Sequence, residues 1–577
     1  MPNKKKADEN NKTTRKQSTR RQNIRSLIIS LAAIIIINFS GSHFFERIDL
    51  TAEKRYTLTN ATRNLLRELD DYVYFRVYLE GDFPAGFTRL RNQTREMLDE
   101  FSAYSDYVQF EFINPTKKGD SEATEETYQM LFRKGLQPTQ LQVEADDATS
   151  QQIIFPGAVV SYGDKEIGVS LLQEQLGSAS ENVINNSAQA LEYNLATAIY
   201  KLTLTHKPKI AFSKGNGELQ DRYLADIKRE LDNFYELDDV IIQGDISALD
   251  PFQTLIVAQP MQEFTEQDKF VIDQFVMNGG SVLWAIDPVF ASMDSLQMAP
   301  ETLAMAWPLN LDDMLFNYGA RLNTNLVMDM QSVPIPITTG YVGNQPQISM
   351  VPWFYFPLAV PASAHPVVKN LNPVRTEFVS TLDTVGDPGI KKTLLLQSSP
   401  YSRVLQTPAR ISFDIMEQQP DESLYREGPQ PLGVVLEGKF ESVFKNRIVP
   451  VTNLPTDFQK RDVSQPAKMI VVADGDILRN QFDRQGEPLP LGFDRFLNET
   501  FGNADFVMNA INYLNDDMGI MEARTREIRI RQLDRNRINE DKLLIQFTNI
   551  ALPVLLVFIF GAVRFYWRKR RFNKKIV

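Results

Sequence analysis

Two apolar segments, one near each end of this 577-residue chain, restrict its fold more than any other feature. The first covers residues 26–45 and contains an uninterrupted apolar stretch, Leu31–Ile37. The second covers residues 543–563. Each segment has close to the ~20 residues that a helix needs to cross a bilayer. We therefore predict two transmembrane helices at these positions.

Charge at the two termini predicts how these helices are oriented. Nine Lys and Arg residues lie within residues 1–26, and seven lie within residues 564–577. Basic residues stay on the cytoplasmic side of a membrane. We predict cytoplasmic tails at 1–25 and 564–577, with a large periplasmic region between two anchors in a bacterial inner membrane. The second segment has seven basic residues on either side, so the first one decides the orientation.

The first segment also has features of a cleaved signal peptide. The small residues Ser40, Gly41 and Ser42 follow a short apolar core, which is typical of a cleavage site. The long basic region before this core, and the presence of a second anchor, favour an uncleaved helix.

The second segment contains residues that are unusual in a helix surrounded by lipid: Gln546, Thr548, Asn549 and Pro553. Polar side chains in membrane helices commonly contact another helix, and neighbours satisfy the backbone group that a proline frees. We predict that these four residues contact a partner membrane subunit. A charged helical stalk is predicted directly before the segment, over residues 521–542.

The charge and composition of the middle of the chain exclude several classes of protein. The net charge is −11 although both ends are basic, so the middle is strongly acidic and does not suit a nucleic-acid surface. There is no cysteine, which excludes disulfides, thiolate zinc sites and cysteine nucleophiles. The lipid bilayer is the expected partner of the basic ends.

The pattern of apolar residues predicts an α/β fold with two domains. Residues 46–175 alternate strands and helices as a small N-terminal α/β domain, and residues 176–206 form a linker helix. From residue 207 to 520, apolar strands such as Thr254–Ala258 alternate with helices, which predicts a doubly wound, largely parallel sheet. An irregular, proline-rich insertion spans about 300–465, with a helix near 301–318.

One candidate ligand crevice lies where strands of this sheet end. Gly215, Asn216, Gly217 and Glu218 follow a strand and precede a helix, the place where α/β sheets bind ligands. The third glycine of a dinucleotide-binding loop is absent, since Gln220 stands there, so a tight turn without a ligand is an alternative.

Three aspartates, Asp287, Asp474 and Asp476, also follow predicted strands. They extend the candidate crevice and have the chemistry of cation ligands, whereas turn formation and helix capping are the structural alternative. The aromatic run Trp353–Phe356 is a contact surface or part of a core. Nucleotide-binding and hydrolase motifs are absent and histidines number three. We therefore predict no catalytic residue, metal or cofactor.

Several short motifs, spread over nearly the whole chain, resemble one protein family. They are Arg47-x-Asp49-Leu50-Thr51-x-Glu53-x-Arg55-Tyr56-Thr57-Leu58, Leu79-x-Gly81-Asp82-Phe83-Pro84, Glu111-Phe112-Ile113-Asn114-Pro115, Asn278-Gly279-Gly280-Ser281, Val471-Val472-Ala473-Asp474-Gly475-Asp476 and Asn509-Ala510-Ile511-Asn512-Tyr513-Leu514. With these motifs the chain resembles the gliding-motility-associated ABC transporter auxiliary proteins of Bacteroidota, the GldG type.

The resemblance implies a non-enzymatic accessory subunit beside an ABC permease and a cytoplasmic ATPase. It also implies that residues 208–290 have a glutamine-amidotransferase-like fold without activity. The family loop often has histidine where Asn216 stands here, which further weakens any acid–base role for it. Two alternatives stay open: a membrane-anchored carbohydrate-binding or hydrolytic envelope protein using Glu218, Asp287 and Asp474, and a structural spacer between the inner membrane and an envelope or cell-wall partner.

Overall fold

The computed structural model forms two compact units, Met1–Thr57 and Leu58–Val577. The residues that the structure describes are 24–25, 27–36, 38–39, 57–116, 121–145, 148–173, 180–343, 345–416, 420–452, 454–456, 458–525 and 541–573. In the first unit the apolar helix α1 covers Leu27–Ile36, and its side chains are exposed. This helix is shorter than a membrane span, and part of the predicted span 26–45 lies outside the described residues. The N-terminal anchor therefore stays a prediction.

The N-terminal part of the second unit is the small α/β domain expected from the sequence. Its elements are α2 (Asn60–Arg67), β1 (Val73–Val77), α3 (Ala85–Tyr104), β2 (Val108–Phe112), α4 (Ser121–Arg133), β3 (Thr139–Ala145), β4 (Ala148–Ile154), β5 (Gly157–Tyr162), β6 (Lys165–Ser170) and α5 (Ser180–Thr203). Thr59 caps the start of α2, because its Oγ1 accepts a hydrogen bond from the Thr62 amide. One sheet has the strand order β2-β1-β5-β6, and β3 and β4 form a separate hairpin.

Helix α5 packs into this domain along much of its length. Leu191, Leu195 and Ile199 are buried in the same apolar core as Phe75 and Phe101. A short 3-10 helix, Ile520–Thr525, adds buried residues to that core from the far end of the chain. Residues 521–525 are therefore not the start of a charged stalk, and residues 526–540 of that prediction lie outside the described residues.

One large mixed sheet organises the rest of the second unit. Its parallel half consists of β7 (Lys209–Lys214), β8 (Glu236–Ile241), β9 (Thr254–Ala258), β10 (Ser281–Ala285) and β23 (Ala467–Val472). The helices α6 (Asp221–Asp232) and α7 (Glu266–Met277) connect neighbouring strands of this half. Thr265 caps the start of α7, since its hydroxyl accepts a hydrogen bond from the Asp268 amide.

The segment between β10 and β23 is richer in strands than its sequence predicts. After β10 come β11 (Val289–Phe290), α8 (Met293–Met298), β12 (Glu301–Ala306), α9 (Asp312–Tyr318), β13 (Ala320–Leu322), β14 (Asn325–Asp329), β15 (Ser332–Val342), β16 (Gln345–Pro361), β17 (Val374–Arg375), β18 (Leu382–Thr384), β19 (Lys391–Gln397), β20 (Ser402–Gln406), β21 (Ala409–Ser412) and β22 (Pro431–Gly438). The helix predicted near 301–318 is wrong over its first residues, because residues 301–304 pair with β21 and residues 305–306 pair with β11.

Five of these strands enlarge the main sheet, whose order is β15-β16-β19-β22-β23-β10-β9-β7-β8, with β17 attached to β16. All pairs from β15 to β23 are antiparallel. The prediction of a largely parallel sheet is therefore wrong for this half. The reason is that β22 returns to pair beside β23, and no local signal in the sequence announces such a pairing.

Helices cover both faces of the parallel half, as expected for a doubly wound sheet. Helix α10 (Asn503–Leu514) and α6 contribute Phe506, Ile511 and Leu224 to one core, and α7 and α9 contribute Ile272 and Met314 to the other. The aromatic run Trp353–Phe356 on β16 is buried at 6% exposure or less, so it is core and not contact surface. Two short strands, β24 (Phe493–Asp494) and β25 (Glu499–Thr500), precede α10.

The last helix, α11, covers Lys542–Arg570 and is a candidate membrane span. It has 29 residues and a window of mean hydropathy 2.3 with no residue buried against the protein. Among the described residues it is the one helix long and apolar enough to cross a bilayer. It widens into a π-helical turn at Phe547–Ala551, directly before Pro553, where a proline removes a backbone donor.

Candidate functional site

A cleft of about 480 Å³ lies at the carboxyl edge of the parallel strands. Carboxyl ends of neighbouring parallel strands meet at one edge of a sheet, and ligands of open α/β sheets bind there. Side chains that follow β7, β9, β10 and β23 line it, together with residues from the segment after β10. The lining residues used below are Gly217, Glu218, Tyr223, Gln259, Asp287, Phe290, Trp307, Arg375, Glu377, Asp476, Arg479 and Phe482.

The loop after β7 is held closed by its own acidic residue. Glu218 accepts hydrogen bonds from the Ser213 hydroxyl at 2.7 Å and from the Asn216 amide at 2.7 Å. Gly215 and Gly217 have φ values of +115° and +73°, which glycine adopts without strain. Gly217 and Glu218 line the cleft, whereas Gly215 and Asn216 lie behind it. The Asn216 side chain is directed instead to the Glu263 carbonyl, at 3.1 Å.

The three predicted aspartates come together. Asp287, Asp474 and Asp476 each offer an oxygen within 4.8 Å of the others, and they are the one such group found among the described residues. Asp287 accepts from Gln259 Nε2 at 2.7 Å and from the Gly475 amide at 2.6 Å. Those two loops approach so closely that a Cβ at Gly475 would lie 2.6 Å from Gln259 Cβ.

Asp474 is the structural member of this group. It is fully buried, does not line the cleft, and accepts from the backbone amides of Asp476 and Glu377 at 2.7 and 2.9 Å. It therefore joins the loop after β23 to the segment after β17. Asp287 and Asp476 are the two aspartates that reach the cleft.

Burial raises the pKa of every member of this group, because a carboxylate loses solvation in a low-dielectric site. The pKa of Asp287 and that of Asp476 rise to about 6, and the pKa of Asp474 rises well above its usual value. Repulsion among the three carboxylates adds to this effect for Asp474 and Asp476. Arg479 acts in the opposite direction, since its guanidinium lies 3.3 Å from Asp476.

Two charged residues of the cleft carry no local signal in the sequence. Arg375 and Glu377 pair at 2.7 Å, and burial raises the pKa of the Glu377 carboxyl. They belong to the proline-rich segment that no motif marked. Arg479 had a weaker signal that was missed, since it stands three residues after Asp476 on the same turn.

Aromatic rings line the cleft beside the charges. Phe290 and Trp307 stack with centroids 4.9 Å apart and an interplanar angle of 29°. Tyr223 and Phe482 meet edge to face at 5.3 Å, and the Arg479 guanidinium lies 4.6 Å from the Tyr223 ring. The cleft thus combines flat apolar faces with carboxylates and amides.

Two of the three carboxylates that the hydrolase alternative would use are held by hydrogen bonds within the protein. Glu218 is engaged by its own loop, and Asp474 is buried and held by two amides. The hydrolase alternative needs two free carboxyls across an open cleft, and it receives no support here.

His365, the buried histidine, has its pKa lowered to about 4 by burial, and its ring packs against Tyr513.

In α11, the residues predicted to contact a membrane partner are all exposed. Thr548 satisfies its own hydroxyl by donating to the Leu544 carbonyl at 2.6 Å. The helix surface carries the polar side chains of Gln546 and Asn549, and at Pro553 it carries a residue without a backbone N–H donor. Their contact with a membrane partner stays a prediction.

A profile of the family described as an ABC-type uncharacterized transport system, auxiliary component, matches residues 207–510, more than half of the chain. The chain belongs to this family. A second profile, of a domain of unknown function, matches residues 52–161 in the N-terminal α/β domain. An accessory role in an ABC transport system follows from the family, whose members are typically non-enzymatic.

A relative matches nearly the whole chain of this ABC transport auxiliary protein. It is an uncharacterized protein of Borreliella burgdorferi, 22% identical over 564 residues, covering 95% of this chain and 99% of its own. Among solved structures, the mmIFT52 N-terminal domain matches at 12% identity and a TM-score of 0.30, over 53% of this chain and 97% of that one. An exo-beta-1,4-mannosidase from an Opitutaceae bacterium matches at 9% identity and a TM-score of 0.19, over 68% and 45%. Scores this low support no argument about fold or function.

Proposed function

We propose that this chain is a non-enzymatic accessory subunit of an ABC transport complex associated with gliding motility. It sits in a bacterial inner membrane with two spans and cytoplasmic termini, and it presents residues 46–520 to the periplasm beside a permease and a cytoplasmic ATPase. The family match over residues 207–510 carries the proposal. The apolar helix α11, the basic residues around it and the family motifs support the finer parts.

The proposed division of the chain follows from the predicted anchors. The N-terminal α/β domain covers 46–175, a linker helix covers 176–206, and the amidotransferase-like domain covers 207–520. Helix α11 contacts the permease through Gln546, Thr548, Asn549 and Pro553. A chemical argument supports these contacts. Polar side chains and backbone groups without a hydrogen-bond partner are costly in lipid, and a neighbouring protein helix can satisfy them.

Co-purification tests the accessory role. The tagged full chain, expressed with its permease and ATPase and extracted in mild detergent, is expected to carry both subunits with it. Asn549→Leu is expected to reduce the recovered permease by roughly threefold, because interhelical polar contacts contribute about 0.6 kcal/mol on average. Phe558→Leu, an apolar change in the same helix, serves as the matched control. A wild-type chain that purifies alone contradicts the proposal.

A second candidate function is binding of a neutral saccharide in the cleft. The stacked pair Phe290 and Trp307 offers a flat apolar face, and Asp287 and Asp476 offer acceptors beside it. Sugars have apolar C–H faces and many hydroxyl donors, so such a lining suits them. In this proposal Gly217 and Glu218 complete the wall, and Gly215, Asn216 and Asp474 shape it from behind.

Cellobiose and N,N′-diacetylchitobiose are suitable probes for this cleft. Isothermal titration at millimolar sugar is expected to show binding to the wild-type chain, and roughly two- to tenfold weaker binding to Trp307→Ala, since an aromatic contact contributes about 0.5–1.5 kcal/mol. Tyr401→Ala removes an aromatic ring that is 59% exposed and outside the cleft, and it should bind like wild type. Equal affinity in Trp307→Ala shows that the stacked pair does not hold the sugar, and no binding by wild type argues for a ligand-free role.

A further inference from the structure

The hairpin of β15 and β16 lies in a long uncharged stretch. Residues 330–364 contain no Asp, Glu, Lys, Arg or His, although charged residues make up 23% of the chain. The inner end of the hairpin explains part of this composition, because Trp353–Phe356 belong to a buried core. We call the outer end, residues 336–350, the arm, and most of its side chains that the structure describes are exposed. Burial does not explain why the arm lacks charge.

The register of the arm places its most exposed large apolar side chains on one face. Partners that lie directly opposite each other in an antiparallel pair point to the same side. Two such pairs are Thr338 with Ile348 and Tyr341 with Pro346. The register shifts between Thr338 and Gly340, where β15 has one extra residue, and this shift keeps Tyr341 on the side of Ile348. Without the extra residue, Tyr341 would point to the other side.

This apolar face is open to solvent. Tyr341 is 72% exposed, Ile348 64% and Met350 38%. The other side of the arm carries Ser349 and Gln347, which are polar and also exposed. One face of the arm therefore carries the exposed apolar anchors, and the other carries exposed polar side chains beside half-buried Ile337. Neither face bears a charge.

The open edge of β15 indicates what covers this face. β15 is the outermost strand of the main sheet, with β16 as its one neighbour in the described part of the chain. Its outer backbone groups therefore face away from the sheet. Lipid hydrocarbon does not accept an open strand edge, because unsatisfied N–H and C=O groups cost several kcal/mol each there. A protein surface can pair with such an edge and hold apolar anchors in pockets.

We propose that the arm docks on an uncharged, apolar groove of the permease subunit in the transport complex, with Tyr341, Ile348 and Met350 as its anchors. This inference rests on the accessory role proposed above, which supplies the partner. The absence of charge suits such a groove, since a charged residue would lose its hydration on docking without gaining a counter-ion.

The natural absence of cysteine makes a site-specific test direct. Ile348→Cys and Ser349→Cys place single thiols on opposite faces of the same strand. Both full-length variants are labelled with a maleimide photo-crosslinker in membranes that also contain the permease. The label at position 348 is expected to form roughly tenfold more crosslinked permease than the label at position 349, identified by mass.

A second pair of variants tests the energetics. Ile348→Asp is expected to reduce permease recovery by roughly tenfold or more, as for a hot-spot residue, whereas Ser349→Asp leaves recovery close to wild type. Both positions are exposed, so equal melting temperatures check that the fold is intact. If Ile348→Asp does not fold, the crosslinking pair decides.

The outcomes separate the two proposals. If the wild-type chain recovers the permease but neither pair of variants shows the expected difference, the arm inference is overturned and the accessory role stands. Crosslinks from position 348 to lipid or to a second copy of this chain also overturn it. If the wild-type chain recovers no permease, the accessory role fails and the arm inference fails with it.

Discussion

Replacing Asp273 with alanine is expected to lower the free energy of unfolding by roughly 4 kcal/mol or more. This fully buried carboxylate on α7 accepts from Tyr318 Oη at 2.8 Å, from Ser442 Oγ at 2.6 Å and from the Val443 amide at 3.0 Å. Each buried donor left without a partner costs about 1–3 kcal/mol. The substitution therefore detaches α9 and the loop after β22 from α7 at the same time.

Denaturant unfolding of the full chain in detergent, followed by tryptophan fluorescence, measures this effect. Trp284 and Trp353 are both buried in the second unit and report on its unfolding. Asp273→Asn keeps the shape and one acceptor, so it should cost less than alanine. Asp250→Ala, at an exposed position of the same domain, is the control and should stay within about 0.5 kcal/mol of wild type. A loss below 1 kcal/mol in Asp273→Ala contradicts the prediction.

The aspartate group at the cleft is expected to make the protein less stable as the pH rises from about 4 to 6. The pKa of Asp287 and that of Asp476 are raised to about 6 by burial, so the folded state binds these protons more tightly than the unfolded state. Their stabilising contribution is complete below the usual aspartate pKa and is lost as the pH passes the folded value. With a pKa shift of this size, each carboxyl accounts for ~2 kcal/mol or more of the unfolding free energy that is lost over this pH range.

The comparison of two variants isolates this contribution from other titrating groups. Asp476→Asn removes one charge and keeps an oxygen for Arg479. Between pH 4 and 6, the unfolding free energy of this variant is therefore expected to fall by ~2 kcal/mol less than that of wild type. Asp164→Asn, in an exposed turn between β5 and β6, should follow the wild-type curve. Parallel plots of unfolding free energy against pH for wild type and Asp476→Asn would contradict the prediction, because they would show that Asp476 does not bind its proton more tightly in the folded state.

Some of the fold and of the candidate site was accessible from local sequence signals. Thr265 predicts the start of α7, and the apolar run Thr254–Ala258 predicts β9, because capping and uninterrupted apolar strands are local properties. Asp287 and Asp476 were placed at one edge for a similar reason. Each comes shortly after a strand of a predicted parallel sheet, and carboxyl ends of such strands coincide.

Other features depend on partners that are far away in the chain. Residues 301–306 have a pattern that fits a helix as well as a strand. Pairing of residues 301–304 with β21, which lies far along the chain, decides for the strand. Arg375 and Glu377 reach the cleft because β17 pairs with β16. No turn or motif in the sequence predicts this pairing. Asp474, predicted as a ligand residue, is instead held by the Glu377 amide.

The amino-acid sequence alone establishes an apolar C-terminal helix, an acidic body with a parallel βα core, and the uncharged stretch 330–364. These are properties of composition and of spacing over a few residues. Only the tertiary structure decided that half of the sheet is antiparallel, that Glu218 and Asp474 are used internally, and that Tyr341 and Ile348 share an open face. Strand register and burial depend on contacts between distant residues, and a shift of one residue turns a side chain to the other face.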